Sequence, residues 1–224
     1  MRVSIGALAL AALATLSGGA SALQGQQLRE DSYRWYMGAQ GGGLWFETQT
    51  QTGTTIPVGG LQALIVGKRG GLMLSWEEAF GSGEESAFGD STAPNGTRDV
   101  TFDRLRKYSA TLMAFPLRSR FEPYLGVGFG ILHTVGTEVT GFFTTPDEAA
   151  TATETAKNKG STGFGSFVGG VQYRISPIVT VYGHYQITTA PSSGSLLVGP
   201  THTLVAGIRF GLGNAKEGVR GGGY

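Results

Sequence analysis

Cysteine is absent from this sequence of 224 residues, and its absence removes several kinds of chemistry. Without a thiol the chain forms no disulfide, holds no zinc through thiolates, uses no cysteine nucleophile and carries no acylated lipoprotein cysteine. Charge is scarce as well, because Asp, Glu, Lys and Arg make up 15% of the residues and the formal net charge is only +1. A nearly neutral chain lacks the electrostatic attraction that drives nucleic-acid binding, so we expect no nucleic-acid partner.

Long hydrophobic runs are missing beyond the N-terminus. Met1 and Arg2 precede an apolar run over residues 3–16. This run is shorter than the about 20 residues that a membrane-spanning helix needs. The small residues Ala20-Ser21-Ala22 follow it and match a signal-peptidase site. The pattern predicts a signal peptide over residues 1–22 and a mature chain that lies outside the cytoplasm, where any membrane insertion must use strands.

Alternation is the clearest pattern in the rest of the chain. Between Phe121 and Ile131 every second residue is apolar, and the residues between them are Glu122, Tyr124 and three glycines. Successive side chains of a strand point to opposite faces, so this segment predicts a strand with one apolar face and one small, polar face. We interpret the apolar row as a lipid-facing surface and the other row as the wall of a narrow lumen. The glycines are expected to make room for neighbours such as Tyr124, Tyr182 and Arg209, or to keep a passage open.

Seven other segments alternate in a similar way, which predicts about eight strands in total. The predicted strands lie near residues 33–46, 58–67, 72–80, 100–117, 120–131, 164–175, 179–188 and 203–212.

The connections between these strands alternate in length. Long loops are predicted at Glu47–Thr55, Gly81–Asp99, Gly136–Gly160 and Thr189–Pro200. Short turns are predicted between the other consecutive strands. Outer-membrane barrels have long outer loops and short periplasmic turns. The sequence therefore predicts an all-β fold, an eight-stranded antiparallel up-and-down transmembrane β-barrel over residues 23–213, followed by a short polar tail at 214–224.

Charged residues fall mainly on the faces that we assign to the lumen. A charge that faces lipid at mid-depth costs about 2–4 kcal/mol, whereas charges in a lumen can pair. The charged start of the fourth strand, Asp103 to Lys107, is expected to stand above the membrane. Because eight strands enclose only enough space for side chains, we predict a polar, largely plugged lumen. The predicted lumen network consists of Arg34, Glu77, Lys107, Glu122, Arg174, His184 and Arg209.

Three segments carry a resemblance to a known family. They are Pro123-Tyr124-x-Gly126-x-Gly128-x-Gly130, the strand Val181–Tyr185, and the end of the last strand at Ile208-Arg209-Phe210. Together they resemble the small outer-membrane β-barrel domain family, the OmpA/OmpX-type barrels and their OmpW-like relatives, over roughly Tyr33 to Leu212. The resemblance implies the outer membrane of a Gram-negative cell envelope, with outer-membrane lipid and lipopolysaccharide around the barrel. It also implies the barrel assembly machinery as a partner during biogenesis, with Phe210 in the place of the terminal aromatic assembly signal.

Two functions without catalysis remain open at this point. The leading hypothesis is a non-enzymatic outer-membrane barrel with a structural or surface-interaction role, no cofactor and no metal, since His133, His184 and His202 lack metal-ligand spacing. The alternative is a porin-like conduit for a small hydrophobic ligand. It is suggested by apolar residues that alternation places on the lumen side, namely Leu64, Val66, Met73, Met113 and Val168.

An enzyme and a soluble protein are the remaining alternatives. A lipid A deacylase would use His184, but Gln186 stands where that pattern needs a serine. A lipid A palmitoyltransferase would need a His, an Asp and a Ser at the outer rim, for which His133, Asp147 and Ser161 are candidates. A secreted barrel of lipocalin type would turn the glycine-rich rows toward water, which is unusual for a solvated face.

Overall fold

The structure, a computed structural model, describes residues 33–117 and 119–212, without the side chain of Ser82. The predicted signal peptide at 1–22 and the predicted tail at 214–224 lie outside the described residues. The described chain forms nine strands and one helix. They are β1 Arg34–Thr48, β2 Thr54–Val66, β3 Gly70–Gly89, β4 Thr97–Ala114, β5 Phe121–Val135, β6 Glu138–Thr140, α1 Pro146–Lys159, β7 Ser161–Arg174, β8 Val179–Thr188 and β9 Leu197–Gly211.

Eight of these strands close into an antiparallel barrel. Each barrel strand pairs with its successor, with β5 pairing to β7 across the intervening β6 and α1. The ring closes where β1 pairs with β9, from Tyr36 opposite Gly211 to Thr48 opposite Leu197. The three residues of β6 stand apart from the ring and pair with residues 99–101 of β4. The predicted fold class, an up-and-down barrel of eight strands, is confirmed.

A belt of exposed apolar side chains surrounds the barrel. On β5, Leu125 is 66% exposed and Phe129 is 72% exposed, whereas Glu122 and Tyr124, which point the other way, are 3% and 1% exposed. The other barrel strands contribute Trp35 and Met37, Leu61, Leu74 and Trp76, Tyr108 and Leu112, Phe167 and Tyr173, Tyr185, and Leu204 and Phe210. Soluble monomers do not expose an apolar surface of this extent, so the belt is the lipid-facing surface of a membrane barrel.

Among the described residues, no helix is long and apolar enough to cross a membrane.

The two ends of the barrel differ in their connections. At one end, here the turn end, the connections are residues 67–69, 115–120 and 175–178. At the other, here the loop end, they are residues 49–53, 90–96, 136–160 and 189–196. The connections at the loop end are longer than their neighbours, as predicted, except that residues 49–53 form a shorter connection than residues 115–120.

The boundaries of the second long loop differ from the prediction. The sequence predicted a loop over Gly81–Asp99, but β3 continues to Gly89 and β4 begins at Thr97. Cross-strand pairs from Glu84 opposite Phe102 to Gly89 opposite Thr97 extend the ladder beyond the apolar belt. The outward side chains there are mostly polar, so the segment resembled a solvated loop in the sequence.

The third long loop contains a helix that the sequence analysis missed. Thr145 caps α1, because its Oγ1 accepts a hydrogen bond from the backbone N of Glu148 at 3.2 Å. Pro146 occupies the first turn together with Asp147 and Glu148, and Lys157 and Lys159 lie in the last turn. Acidic groups near the N-terminus and basic groups near the C-terminus both stabilise the helix dipole.

Candidate functional site

Side chains from the barrel strands point into the lumen, and they are not all polar. The turn-end cluster is an apolar group of buried side chains, Tyr36, Leu64, Val66, Met73, Met113, Phe115, Tyr124 and Val168. The loop-end cluster is a second apolar group, Leu44, Phe46, Ile56, Val58, Ala79, Phe102, Leu105, Leu132, Phe164, Leu197 and Val205. The predicted polar lumen therefore describes only part of the interior, in which a charged network accompanies two apolar clusters.

Arg209 is the centre of the charged network. Its side chain projects inward from β9 and is 1% exposed. Nη1 donates to Gln172 Oε1 at 2.7 Å, and Nη2 donates to Gln62 Oε1 at 2.9 Å. Its guanidinium carbon lies 3.8 Å from the ring centroid of Tyr182, a close cation–π contact. Amide oxygens and an aromatic face, rather than a carboxylate, thus hold this buried charge.

A second set of contacts continues toward the turn end. Gln172 Nε2 donates to Glu122 Oε2 at 2.6 Å, and Arg174 Nη2 donates to Glu122 Oε1 at 2.7 Å. Gln172 therefore bridges Arg209 and Glu122, so that one carboxylate lies between two cations. The side chain of Arg174 is 30% exposed, whereas that of Glu122 is 4% exposed. The outermost member of the set is thus the one that retains contact with solvent.

Glu77 and Lys107 form an ion pair deeper in the lumen. Lys107 Nζ lies 2.5 Å from Glu77 Oε2, and it also donates to Gln186 Oε1 at 2.6 Å and Thr203 Oγ1 at 3.0 Å. The other Glu77 oxygen accepts from Gln40 Nε2 at 2.5 Å. A charged donor with three oxygen partners from three other strands cross-links the barrel interior.

Tyr182 and His184 join these sets. Tyr182 Oη donates to Gln40 Oε1 at 2.9 Å, and the ring of His184 stacks on that of Tyr182 with centroids 5.9 Å apart. His184 Nδ1 shares a hydrogen bond of 3.2 Å with Tyr124 Oη. The polar side chains therefore form one continuous set from Arg174 to Lys107.

The structure places six of the seven residues of the predicted lumen network in this set. The seventh, Arg34, is half-buried near the start of β1 and makes no ion pair within the described part of the chain. The amide and hydroxyl partners Gln40, Gln62, Gln172, Gln186 and Tyr182 complete the set. Their inward direction could be predicted from alternation, but their pairing across the lumen could not.

Glycines make room for these large side chains, but not the glycines that the sequence analysis named. A Cβ at Gly207 would lie 2.7 Å from Tyr182 Cζ, and one at Gly170 would lie 2.8 Å from Tyr124 Cζ. On β5, a Cβ at Gly130 would lie 2.5 Å from Phe164 Cζ. Of the β5 glycines, Gly130 therefore accommodates Phe164, and Gly126 and Gly128 lie against Thr111. The glycines beside Tyr124, Tyr182 and Arg209 are Gly170, Gly207 and Gly38, which belong to other strands.

The loop end is covered by α1. Ala152 and Ala156 are one turn apart and both buried, and the small faces that they present allow the helix to approach the barrel closely. With them, the cap cluster consists of Phe88, Val100 and Leu196, against which Val139 and Phe143 also pack. The C-terminal end of α1 is held as well, because Ser195 Oγ donates to Lys159 O at 3.2 Å.

Arg98 connects the other end of α1 to the barrel. Its side chain is 2% exposed and forms ion pairs with Asp90, at 2.5 Å, and with Glu148 on α1. Nη1 also donates to the backbone oxygen of Phe142 at 3.0 Å. One buried guanidinium thus links β4 to the β3–β4 connection and to the segment that leads into the helix.

These contacts change the acidity of both carboxyl groups. The pKa of Asp90 is lowered to about 2, first by hydrogen bonds from Thr92 and then by its bond with Arg98. The pKa of Glu148 is lowered as well, first by the backbone hydrogen bond from Thr144 and then by Arg98. A surface cavity of about 420 Å³ lies beside them, between residues 88–92 and the first turns of α1.

The residues considered for an enzyme do not form a catalytic arrangement in the described structure. His184 is 3% exposed inside the lumen, and Gln186 beside it accepts from Lys107, so neither contacts lipid. His133 and Ser161 are cross-strand partners on β5 and β7. Asp147 lies in the first turn of α1 and makes no side-chain hydrogen bond with either of them among the described residues. Within the same residues, no group of three or more His, Asp or Glu side chains is placed to hold a metal ion.

An antiparallel ring of eight strands with an apolar outer belt and buried inward side chains defines a small transmembrane β-barrel. No family model and no curated protein matches the sequence. Among solved structures, the chain is similar to Neisserial surface protein A, with a TM-score of 0.53 and 13% identity over 80% of this chain and 99% of that one.

Two other solved barrels align over similar lengths. A major outer membrane protein from Thermus thermophilus gives a TM-score of 0.45 and 13% identity over 81% of this chain and 100% of that one. OprG from Pseudomonas aeruginosa gives 0.41 and 12% over 82% and 99%. At 13% sequence identity, the likeness to Neisserial surface protein A establishes the fold alone. The predicted resemblance to small outer-membrane barrels is therefore confirmed for the fold.

Proposed function

We propose that the protein is a non-enzymatic outer-membrane barrel with a closed lumen, whose role is structural or lies in surface interactions made through its loop end. The observation that carries the proposal is the burial of large inward side chains. Arg209, Tyr124, Phe46, Phe102 and Leu64 are each less than 2% exposed and come from five strands around the ring. An eight-stranded barrel is only wide enough for side chains to fill it, so buried side chains of this size at several levels of the interior support a lumen without a continuous path for ions.

The ion pairs support a closed lumen for an energetic reason. Glu77 and Lys107 neutralise each other at 2.5 Å, and Glu122 lies between Arg174 and the Gln172–Arg209 pair. Breaking a buried pair by removing one partner costs about 3–5 kcal/mol. Opening a path between these residues would separate several such partners at once, and the barrel has no evident source of that free energy.

The cap supports a role at the surface rather than in transport. Arg98 and the cap cluster hold α1 across the loop end, where a conduit would need an opening. The exposed face of α1 carries Asp147, Thr151, Glu154 and Lys157, a polar surface suited to contacts outside the cell. An outer-membrane location and assembly by the barrel assembly machinery belong to this proposal, and the shared fold with Neisserial surface protein A supports them.

The alternative of a conduit for small hydrophobic molecules rests on the turn-end cluster. Leu64, Val66, Met73, Met113 and Val168 do face the lumen, as alternation predicted. They pack together with Phe115 and Tyr124, whose ring centroids are 5.8 Å apart. The cluster is therefore a packed layer of the interior, and it favours a closed barrel over a passage.

Conductance across planar lipid bilayers tests the closed lumen. We expect the wild-type protein to give no current steps above those of the bare bilayer. The variant Tyr124→Ala/Tyr182→Ala removes two lumen rings and should conduct, whereas Tyr173→Ala/Tyr185→Ala, which removes two rings from the lipid face, should stay silent.

Two results would contradict the proposal. Regular conductance steps from the wild-type protein would show an open lumen. Uptake of a hydrophobic dye by vesicles that contain the wild-type protein, with no uptake by empty vesicles, would favour the conduit instead.

A further inference from the structure

Two arginines face outward on β4 just above the apolar belt. Arg104 and Arg106 alternate with the inward residues Leu105 and Lys107, so both point away from the lumen. Their side chains are 45% and 32% exposed. Among the described residues, every other Arg and Lys lies in or beside the lumen, near the turn end, beneath α1 or on α1. These are Arg34, Lys68, Arg69, Arg98, Lys107, Arg120, Lys157, Lys159, Arg174 and Arg209.

The strand register places these arginines at a definite depth. Arg106 pairs with Glu78 on β3 and with His133 on β5. The next outward row toward the belt is Trp76, Tyr108 and Ile131. Two residues along a strand correspond to about 7 Å, so the basic row lies within one side-chain length of the aromatic row. Aromatic rows mark the boundary of the hydrocarbon layer in membrane barrels, and the phosphates of lipid headgroups lie directly outside it.

Glu78 holds the two arginines side by side. Arg104 Nη1 donates to Glu78 Oε1 at 2.9 Å, and Arg106 Nη2 lies 3.3 Å from both carboxylate oxygens. Two cations share one carboxylate, so the triad has a net charge of +1. Each guanidinium has five N–H donors, and Glu78 uses few of them.

The neighbouring carboxylates do not cancel this charge from the membrane side. Asp103 is the next outward acid on β4, and its Oδ2 lies close to Gly136 in the β5–β6 connection. Glu85 pairs with Thr101 and lies still farther from the belt. Both acids are beyond the arginines, so a group that approaches from the lipid side meets the guanidinium groups first.

We propose that Arg104 and Arg106, positioned by Glu78 and flanked by Tyr108 and His133, bind the phosphate of a phosphorylated lipid headgroup in the leaflet at the loop end. The two guanidinium groups supply a fork of charged donors for phosphate oxygens. The apolar side chains below, with Trp76 and Tyr108, accept the acyl chains of the same lipid. The inference rests on the proposed membrane location and adds to it a specific partner class and a specific face of the barrel.

Lipid binding in detergent micelles, followed by native mass spectrometry, tests the site. The probes are bisphosphorylated lipid A and the same lipid with its phosphates removed. We expect the wild-type protein to prefer the phosphorylated form by at least about tenfold, a ratio that one strong charge-assisted contact supplies. The variant R104Q/R106Q should lose this preference. The matched control K157Q/K159Q removes two positive charges from α1, away from the belt, and should keep it.

The outcomes separate the two proposals. Co-flotation with phospholipid vesicles is the control for membrane insertion of every variant. If R104Q/R106Q floats with the vesicles and still prefers phosphorylated lipid A, the phosphate site alone is overturned. Failure of the wild-type protein to float with vesicles would overturn the membrane proposal itself. Displacement of the lipid by equimolar inorganic phosphate would indicate a site for free phosphate and would overturn the lipid assignment.

Photo-crosslinking keeps the test independent of variant folding. With a photoreactive phosphorylated lipid and the wild-type protein, we expect adducts on peptides that contain residues 102–108 and 129–135. Adducts spread evenly around the belt would overturn the site.

Discussion

Lys107 Nζ lies 2.5 Å from Glu77 Oε2, and the two side chains are 4% and 2% exposed in the lumen. Glu77→Gln would leave the lysine charge buried without a carboxylate, so we expect a loss of about 3–5 kcal/mol in the free energy of unfolding. The double variant Glu77→Gln/Lys107→Met removes both charges and should recover most of this loss. Urea unfolding of the vesicle-inserted protein, followed by tryptophan fluorescence, measures the change.

The adjacent glutamate provides the control for this prediction. Glu78 faces outward, and its side chain is 9% exposed because Arg104 and Arg106, which are 45% and 32% exposed, lie over it. Ion pairs whose cations reach solvent contribute about 0.2–1 kcal/mol, so Glu78→Gln should have a much smaller effect than Glu77→Gln. Equal losses for Glu77→Gln and Glu78→Gln would contradict the assignment of the two residues to opposite faces.

Gly207 and Gly183 offer a matched pair of glycines on the two faces of neighbouring strands. A Cβ at Gly207 would lie 2.7 Å from Tyr182 Cζ, whereas the nearest atom to a Cβ at Gly183 is 3.6 Å away. Overpacking costs about 1–3 kcal/mol, so Gly207→Ala should destabilise the barrel by that amount while Gly183→Ala leaves it nearly unchanged. The same urea unfolding experiment measures both, and a larger effect at Gly183 would contradict the lumen packing.

The contact of α1 with Arg98 should depend on pH in the acid range. The folded pKa of Asp90 is lowered to about 2 from its ordinary 3.8. A carboxyl with a lowered pKa stabilises the folded state above its unfolded pKa and loses that contribution as the pH falls through the folded pKa. We therefore expect the attachment of α1 to be intact above about pH 4 and to weaken toward pH 2.

Side-chain carboxyl titration by NMR in micelles checks this expectation. The midpoint of Asp90 should lie near pH 2, and Arg98→Gln should raise the midpoints of both Asp90 and Glu148. Hydrogen exchange of the α1 amides, corrected for intrinsic rates, should become faster in Arg98→Gln. A midpoint of Asp90 at its ordinary value in the wild-type protein would show that Arg98 and Thr92 do not hold it.

Val127 is an exposed apolar residue in the middle of the β5 lipid-facing row. Arginine at mid-depth on the lipid face costs about 2–4 kcal/mol, so Val127→Arg should lower the free energy of unfolding in vesicles by that amount. Phe142 is 76% exposed in the loop before α1, outside the belt. At such a surface position Phe142→Arg should change stability by about 0.5 kcal/mol or less. A neutral Val127→Arg would mean that the belt does not face lipid.

The two-residue alternation of apolar and polar residues predicted the face on which many side chains lie. The alternation from Phe121 to Ile131 predicted which side chains of β5 face outward, and the same rule placed Glu77, Lys107 and Arg209 inside. The rule works because a pleated strand with lipid on one side and packed side chains on the other leaves few alternatives for each position.

Elements outside the belt were predicted less well. The parts of β3 and β4 nearest the loop end have few apolar residues on their outward face. The helix α1 lies in a segment rich in threonine. The helix did have a signal in the sequence, because Thr145-Pro146 followed by Asp147-Glu148 is a typical helix start. The predicted loop over Gly136–Gly160 did not take this signal into account.

The sequence by itself determined the class of fold, the lipid-facing row of each strand and the inward direction of lumen residues such as Glu77, Lys107 and Arg209, since each depends only on the two-residue period of a strand. Tertiary structure alone decided the partners. Arg209 contacts Gln62, Gln172 and the ring of Tyr182. Arg98 forms an ion pair with Glu148, and Arg104 and Arg106 both pair with Glu78. These contacts depend on the register of the strands and on the closure of β1 against β9, and the most distant of them, Arg209 with Gln62, joins residues 147 positions apart in the chain.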